Sequence, residues 1–147
     1  MPDILNDAPD DYRDLLRESL TAVLTTIDTD GHPRSAAVWF FVDDDGQLKG
    51  STYSDLYQFK DLRRNPGCSL LIIDFSDPFR TLEVRATAEL TEDFDSSAVR
   101  KLAHKYGVDP AEAPPRHDRY TITYHPRQLL GRRFWAEQFL QGQGTEQ

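Results

Sequence analysis

The stretch "TAVLTTIDTDGHPRSAAVWFFVDDDGQLKGSTY", Thr21 to Tyr53, limits the fold more than any other part of the chain. Three runs rich in β-branched and aromatic residues are separated by two short polar breaks. Asp30-Gly31 in the first break and Gly46, closing "DDDG", in the second are hairpin signals. Turns that match the twist of their strands need positive φ, which glycine supplies freely. Breaks this short leave no room for a crossover helix, so three consecutive antiparallel strands are expected.

The rest of the chain extends this pattern. "DDYRDLLRESL" reads as a first helix, with Tyr12, Leu15, Leu16 and Leu20 at helical spacing. A second helix is expected from Ser54, a plausible N-cap, to about Asn65, where Pro66 and Gly67 stop it. "CSLLIIDF" is almost continuously apolar and reads as a central strand. "FRTLEVRATAEL" is a longer strand with partial alternation. "DFDSSAVRKLAHKYG" reads as a third helix capped by Gly107, followed by the proline-rich loop "VDPAEAPPRHD". "RYTITYHP" is the last clear strand. The expected fold is mainly β: a six-stranded antiparallel split β-barrel with flanking α-helices.

At 147 residues the chain suits one domain, 1–147, with an N-terminal helix over 1–20 and a partly mobile tail over 132–147. With 38% hydrophobic and 29% charged residues it reads as soluble and globular. No apolar run approaches the roughly 18–20 residues that span a bilayer. The acidic start "MPDILNDAPDDYRD" lacks the layout of a signal peptide, so a cytoplasmic location is expected. A net charge of −8 argues against nucleic acid as a partner.

Much familiar chemistry is absent. There is no nucleophile elbow, phosphate-cradling P-loop or dinucleotide fingerprint. His32, His104, His117 and His125 show no zinc-ligand spacing with the lone Cys68, so no metal is expected. Cys68 reads as a small buried hydrophobe. Asp43, Asp44 and Asp45 are consecutive, whereas a calcium loop needs alternate ligands, so they read as a solvated turn.

The second helix is more informative. At about 100° per residue, Leu56, Phe59 and Leu62 share one stripe, while Lys60 and Arg64 lie one turn apart on another flank beside Tyr57. The projection lays the stem of Arg63 along the apolar stripe. The helix N-terminus offers free N–H groups, and Ser51, Thr52 and Ser54 precede it with hydroxyls. Two readings follow. One is a phosphate seat; the other is a solvated basic face countered by Asp55 and Asp61.

Six pieces in order, from Leu20 to Gly131, resemble the pyridoxamine 5′-phosphate oxidase-like split-barrel flavoproteins, in particular the branch that uses the deazaflavin coenzyme F420. They include "DTDGHPRSAAVWFFVDDDG", the strand ending "GSTY", "DLRRNPG", "DPFRTLEVRATAEL" and "TITYHPRQLLG". The resemblance implies a homodimer with two cofactor sites at its interface and a small-molecule substrate. It places Ser35, Ala37, Val38 and Trp39 at the edge of the ring site. It places Ser51 and Thr52 at the phosphate, and Phe79 and Arg80 in the partner's site. The bland alternative for Val38, Trp39 and Phe40 is barrel core and dimer interface. The chain departs from the family pattern at Gln58, where lysine is usual, and at Asp61, where asparagine is usual. Lys60 and Arg63 are the candidate substitutes.

The implied activity is hydride transfer from the reduced deazaflavin to an electron-poor small molecule. No side chain stands out as an obligatory acid or base, so catalytic residues are unassigned. FMN is the alternative cofactor. A non-catalytic flavin, deazaflavin or haem carrier, and a dimer with a lost site, are the non-enzymatic alternatives. Unlike FMN, F420 continues into an oligoglutamate tail, for which Arg13, Arg17, Arg34, Lys60 and Arg64 are candidate cations.

Overall fold

A computed structural model describes residues 3–133. Seven strands form one antiparallel sheet in the order β2-β1-β5-β6-β7-β4-β3. They are β1 (Ala22–Ile27), β2 (Pro33–Val38), β3 (Phe41–Val42), β4 (Leu48–Tyr53), β5 (Gly67–Ile73), β6 (Thr81–Glu92) and β7 (Arg119–Arg132). This is the mainly β, split-barrel architecture that the hairpin signals and the resemblance point to. Both tight turns form, with Gly31 at φ 82° and Gly46 at φ 81°.

The expectation of three consecutive paired strands is corrected. The run "RSAAVWFFV" breaks at Trp39 and Phe40 into β2, which pairs with β1, and β3, which pairs with β4. The two pieces occupy opposite edges of the sheet, so the count is seven rather than six. The break carries the chain from one sheet edge to the other. Phe40 there is fully buried. Its backbone has no strand partner, and an unpaired buried peptide group is costly. Side chains of a helix supply the bonds: Phe40 N donates to the Tyr106 hydroxyl (3.3 Å), and Lys105 Nζ donates to the Phe40 carbonyl (2.9 Å).

That helix is α4 (Ser97–Tyr106). The other helices are α1 (Ile4–Asp7), α2 (Asp14–Arg17) and α3 (Tyr57–Arg64). The expected continuous helix near the N-terminus is also corrected. Residues 4–17 make α1, a 3₁₀ turn at Asp10–Tyr12, and α2. Tyr12 of the 3₁₀ turn lies against β7, where a Cβ on Gly131 would sit 2.3 Å from its ring. Only glycine admits the ring at that spacing. Strand β7 continues through Arg132, well past the expected end at Pro126. The rest of the expected tail lies outside the described residues.

The core fills the barrel, with Leu24, Leu48, Leu70, Ile72, Leu82, Val84, Ile122 and Tyr124 from the strands and Leu15 and Leu16 from α2. Strand β5 lies between β1 and β6, so its apolar run is central as read. Cys68 is half-buried, and burial pushes its thiol up to about 11, which keeps it protonated and unreactive. Among the described residues no helix is long and apolar enough to cross a membrane.

Two carboxylates fix α4, one buried (Asp93) and one half-buried (Asp43). Asp93 accepts from the Ala98 and Val99 backbone N–H groups, both at 3.0 Å, and so caps the helix start. Ser97 reads as the first residue because Ser96 sits at φ 64°, outside helical space. Asp93→Ala should lower stability by about 1–2 kcal/mol in urea denaturation, the usual cost of a lost N-cap. An unchanged midpoint would show that the cap is dispensable.

Asp43, in the β3–β4 turn, accepts from Lys49 (2.8 Å) and from Lys101 of α4 (2.5 Å). Burial alone would raise its pKa, but these bonds outweigh burial and hold it at about 2. A carboxylate lowered in this way stabilises the fold above its ordinary pKa near 4. That stability is lost as pH falls through about 2. Asp43→Asn should therefore flatten part of the fall in Tm between about pH 4 and pH 2. A fall identical to the parent's would contradict this. The solvated-turn reading is corrected for Asp43, which is half-buried and ion-paired to Lys49 and Lys101, and holds for the exposed Asp44.

Candidate cofactor site

A cleft of about 410 Å³ opens where the C-terminal ends of β2 and β4 meet α4. Ala37, Val38, Trp39, Ser51 and Thr52 line it, so five of the residues proposed from sequence come together. Strand β4 alternates, with Thr52 buried and Ser51 and Tyr53 half-buried. Trp39 is exposed and stacks on Tyr106 of α4, with ring centroids 4.3 Å apart and planes 6° apart. It presents an aromatic wall rather than a core side chain. Phe40, its neighbour, is the core residue.

The most telling atom in the cleft is Thr52 Oγ1. Thr52 is 2% exposed, and this hydroxyl has no hydrogen-bond partner among the described residues. Buried polar atoms are nearly always paired, and an orphan costs about 1–3 kcal/mol. Thr52 lines the cleft but this hydroxyl is itself buried, so a change of side-chain rotamer would bring it to a polar ligand atom.

Helix α3 lies beside the cleft and shares it through Leu56. Phe59 and Leu62 are buried as the stripe predicts, but Leu56 precedes the helix and is 40% exposed. Ser54 does not cap α3. The N-cap is Leu56, with no side-chain bond, so the first N–H groups of the helix stay uncapped. The Ser54 N–H is used elsewhere, on the Asp118 carbonyl (2.9 Å).

The solvated-counter-charge reading of Asp61 is corrected. Asp61 is 1% exposed. It accepts from Thr26 Oγ1 (2.8 Å), Arg34 Nε (2.9 Å) and Arg64 Nη2 (3.3 Å). Burial opposes its charge, but these donors outweigh burial and keep the carboxyl below its ordinary range. The departure from asparagine thus has a structural reason. The negative side chain gathers two arginines from different elements. Arg34 also lies over the exposed Tyr57 ring at 4.5 Å, with Lys60 Nζ 5.8 Å from the same ring. Asn at this position would bring no negative charge to either guanidinium group.

The other proposed residues fall as follows. Ser35 is exposed on β2, and its hydroxyl meets Thr25 Oγ1 at 3.0 Å. Gln58 is half-buried and Lys60 and Arg63 are exposed, but only Lys60 joins the cluster around Tyr57. Arg80 is tied within this chain, to Asp14, to Asp74 (3.0 Å) and to the Asp11 carbonyl (2.6 Å). Phe79 is 47% exposed on the same loop. Sequence reasoning missed Val99 and Leu102, which close the cleft from α4, and Thr21 and Tyr53. Nothing in the sequence ties a helix some 50 positions away to this wall.

With this geometry in hand, the chain can be placed. It belongs to the pyridoxamine 5′-phosphate oxidase family, whose model matches residues 8–132. A solved F420 reductase is similar over 84% of this chain and 98% of its own, with 29% identity and a TM-score of 0.77. A conserved hypothetical protein from Mycobacterium tuberculosis is 24% identical over 82% of this chain and 81% of its own, with a TM-score of 0.67. The haem storage protein HutZ from Vibrio cholerae is 20% identical over 83% of this chain and 92% of its own, with a TM-score of 0.66. The last two likenesses concern the fold alone. No curated protein matches.

Proposed function

We propose that this chain is a coenzyme F420-dependent oxidoreductase that reduces an electron-poor small molecule. The observation that carries the reading is the orphaned Thr52 hydroxyl, buried beside a cleft that Thr52 and Trp39 line. The likeness to an F420 reductase supports the choice of cofactor. So does the basic cluster beside the cleft. Arg34 and Val38 share one face of β2, four residues apart, or about 13 Å along a strand. A ring held at Val38 would therefore leave its anionic tail within reach of Arg34, Lys60 and Arg64. FMN, with one phosphate and no tail, would leave that cluster unused.

The deazaflavin supplies the hydride when bound. The residues of this chain bind and orient it. Trp39 and Val38 offer apolar contact. Ser51, Thr52 and the uncapped N–H groups of α3 offer donors. Asp61 holds Arg34 and Arg64 in place, so less side-chain freedom is lost on binding. No acid or base is assigned, and solvent supplies the proton. We further propose a homodimer in which a second copy covers β2. This edge strand exposes Ser35, Ala36 and Ala37 and, among the described residues, has no strand on its outer side.

The activity test is direct. Reduced F420 mixed with the protein and a quinone acceptor should regain its oxidised absorbance at a rate proportional to protein. No rate above the protein-free control, with F420 bound, would support a carrier instead.

A further inference from the structure

On the far side of α4 lies a second, larger groove of about 620 Å³. It shares no lining residue with the cofactor cleft. Leu5 and Val42 contribute apolar wall, Arg17, Arg100 and Lys105 contribute positive charge, and His104 adds an imidazole. This is an unusual concentration of cations in a chain of net charge −8.

The acids nearby do not cancel it. Asp43 is already bonded to Lys49 and Lys101, and Asp44 is a fully exposed turn residue 3.6 Å from Lys101. Among the described residues, Arg17, Arg100 and His104 form no side-chain hydrogen bond or ion pair, and Arg100 only feels Asp95 at longer range.

Lys105 is the fixed point. Its ammonium donates to the Phe40 carbonyl (2.9 Å) and the Leu16 carbonyl (3.4 Å) and lies 3.9 Å over the Phe40 ring. No carboxylate pairs with it among the described residues. An ammonium has three donors, so one remains for the groove. Burial pulls its pKa down to about 8, the behaviour of a cation lacking a counter-ion. A preorganised cation beside two free arginines and an apolar wall matches a ligand with a charged head and an apolar body.

We propose that this groove is a second binding site, for a small amphiphilic anion, of which an acyl carboxylate is the simplest form. Neither the cofactor nor the oxidoreductase reading is needed for it. The test is a titration followed by backbone ¹H–¹⁵N shifts, with decanoate, 1-decanol and inorganic phosphate as probes. Decanoate should shift Arg17, Lys101, His104 and Lys105 saturably, and bind at least about tenfold more tightly than decanol or phosphate.

The double variant Arg17→Gln/Arg100→Gln should bind decanoate at least about tenfold more weakly. Both side chains are exposed and unpaired, so Tm should hold. The proposal is overturned by shifts centred on other residues, by unchanged affinity in the double variant, or by phosphate binding as tightly as decanoate. Mapping the shifts in the parent protein keeps the test decisive even if the variant is unstable.

Discussion

Phe40→Ala should cost about 3–5 kcal/mol of stability, the largest loss expected from any single truncation near the site. The ring is fully buried and belongs to the barrel core. It also sits under the Lys105 ammonium, so truncation removes apolar burial and a cation–π contact together. The crossover from β2 to β3 depends on this residue, because the sheet edges it connects do not pair with each other. Trp39→Ala is the control. Trp39 is 41% exposed and its main protein contact is the stack on Tyr106. Its loss should cost about 0.5–1.5 kcal/mol. Urea denaturation of both variants decides the matter. Equal costs, or a larger cost at Trp39, would mean that the core and site roles of these neighbours have been exchanged.

Thr52→Val should move stability and binding in opposite directions. Valine keeps the shape of threonine and removes the unpaired hydroxyl. Relieving a buried orphan should stabilise the ligand-free protein by about 1 kcal/mol, or about 3 °C in Tm. The same change should weaken F420 binding about tenfold, the worth of one hydrogen bond to a charged or strongly polar group. A purely structural role for Thr52 predicts no change in binding, and an unseen bond within the protein predicts a fall in Tm. Calorimetry and a binding titration on one variant therefore separate the three cases.

Much of the fold was legible because hairpins write themselves locally. Positive φ at Gly31 and Gly46 and the apolar run of β5 are all short-range signals. The split of "RSAAVWFFV" was not legible. Trp39 and Phe40 continue the strand-forming composition, and only the placement of β2 and β3 on opposite edges of the sheet forces the break there. The first helix failed for a related reason. Its apolar spacing is real, since Leu15 and Leu16 are buried, but Tyr12 follows Gly131 rather than a helical axis.

At the site, strand residues were readable and cross-chain partners were not. Ala37 and Val38 end β2, Trp39 follows them, Ser51 and Thr52 lie near the end of β4, and the curl of the sheet brings the two ends to one cleft. Asp61 stood out only as a misfit. Its role depends on Arg34, 27 residues earlier, and on Thr26, 35 residues earlier. Those separations are what pairwise spacing rules for helices cannot reach. Lys60 and Arg63 were equal candidates as substitutes for the missing lysine. The assembled cluster instead joins Arg34 and Arg64 through Asp61, with Lys60 at the Tyr57 ring.

A deazaflavin in the Thr52 cleft, with its tail on the cluster organised by Asp61, would bind through both. An equilibrium titration measures this most directly, with oxidised F420 and FMN added separately to the purified protein and cofactor fluorescence recorded. F420 should bind saturably, at least about tenfold more tightly than FMN, and Arg34→Gln/Lys60→Gln should weaken it about tenfold. Tighter binding of FMN, or F420 binding that ignores the loss of Arg34 and Lys60, would contradict it.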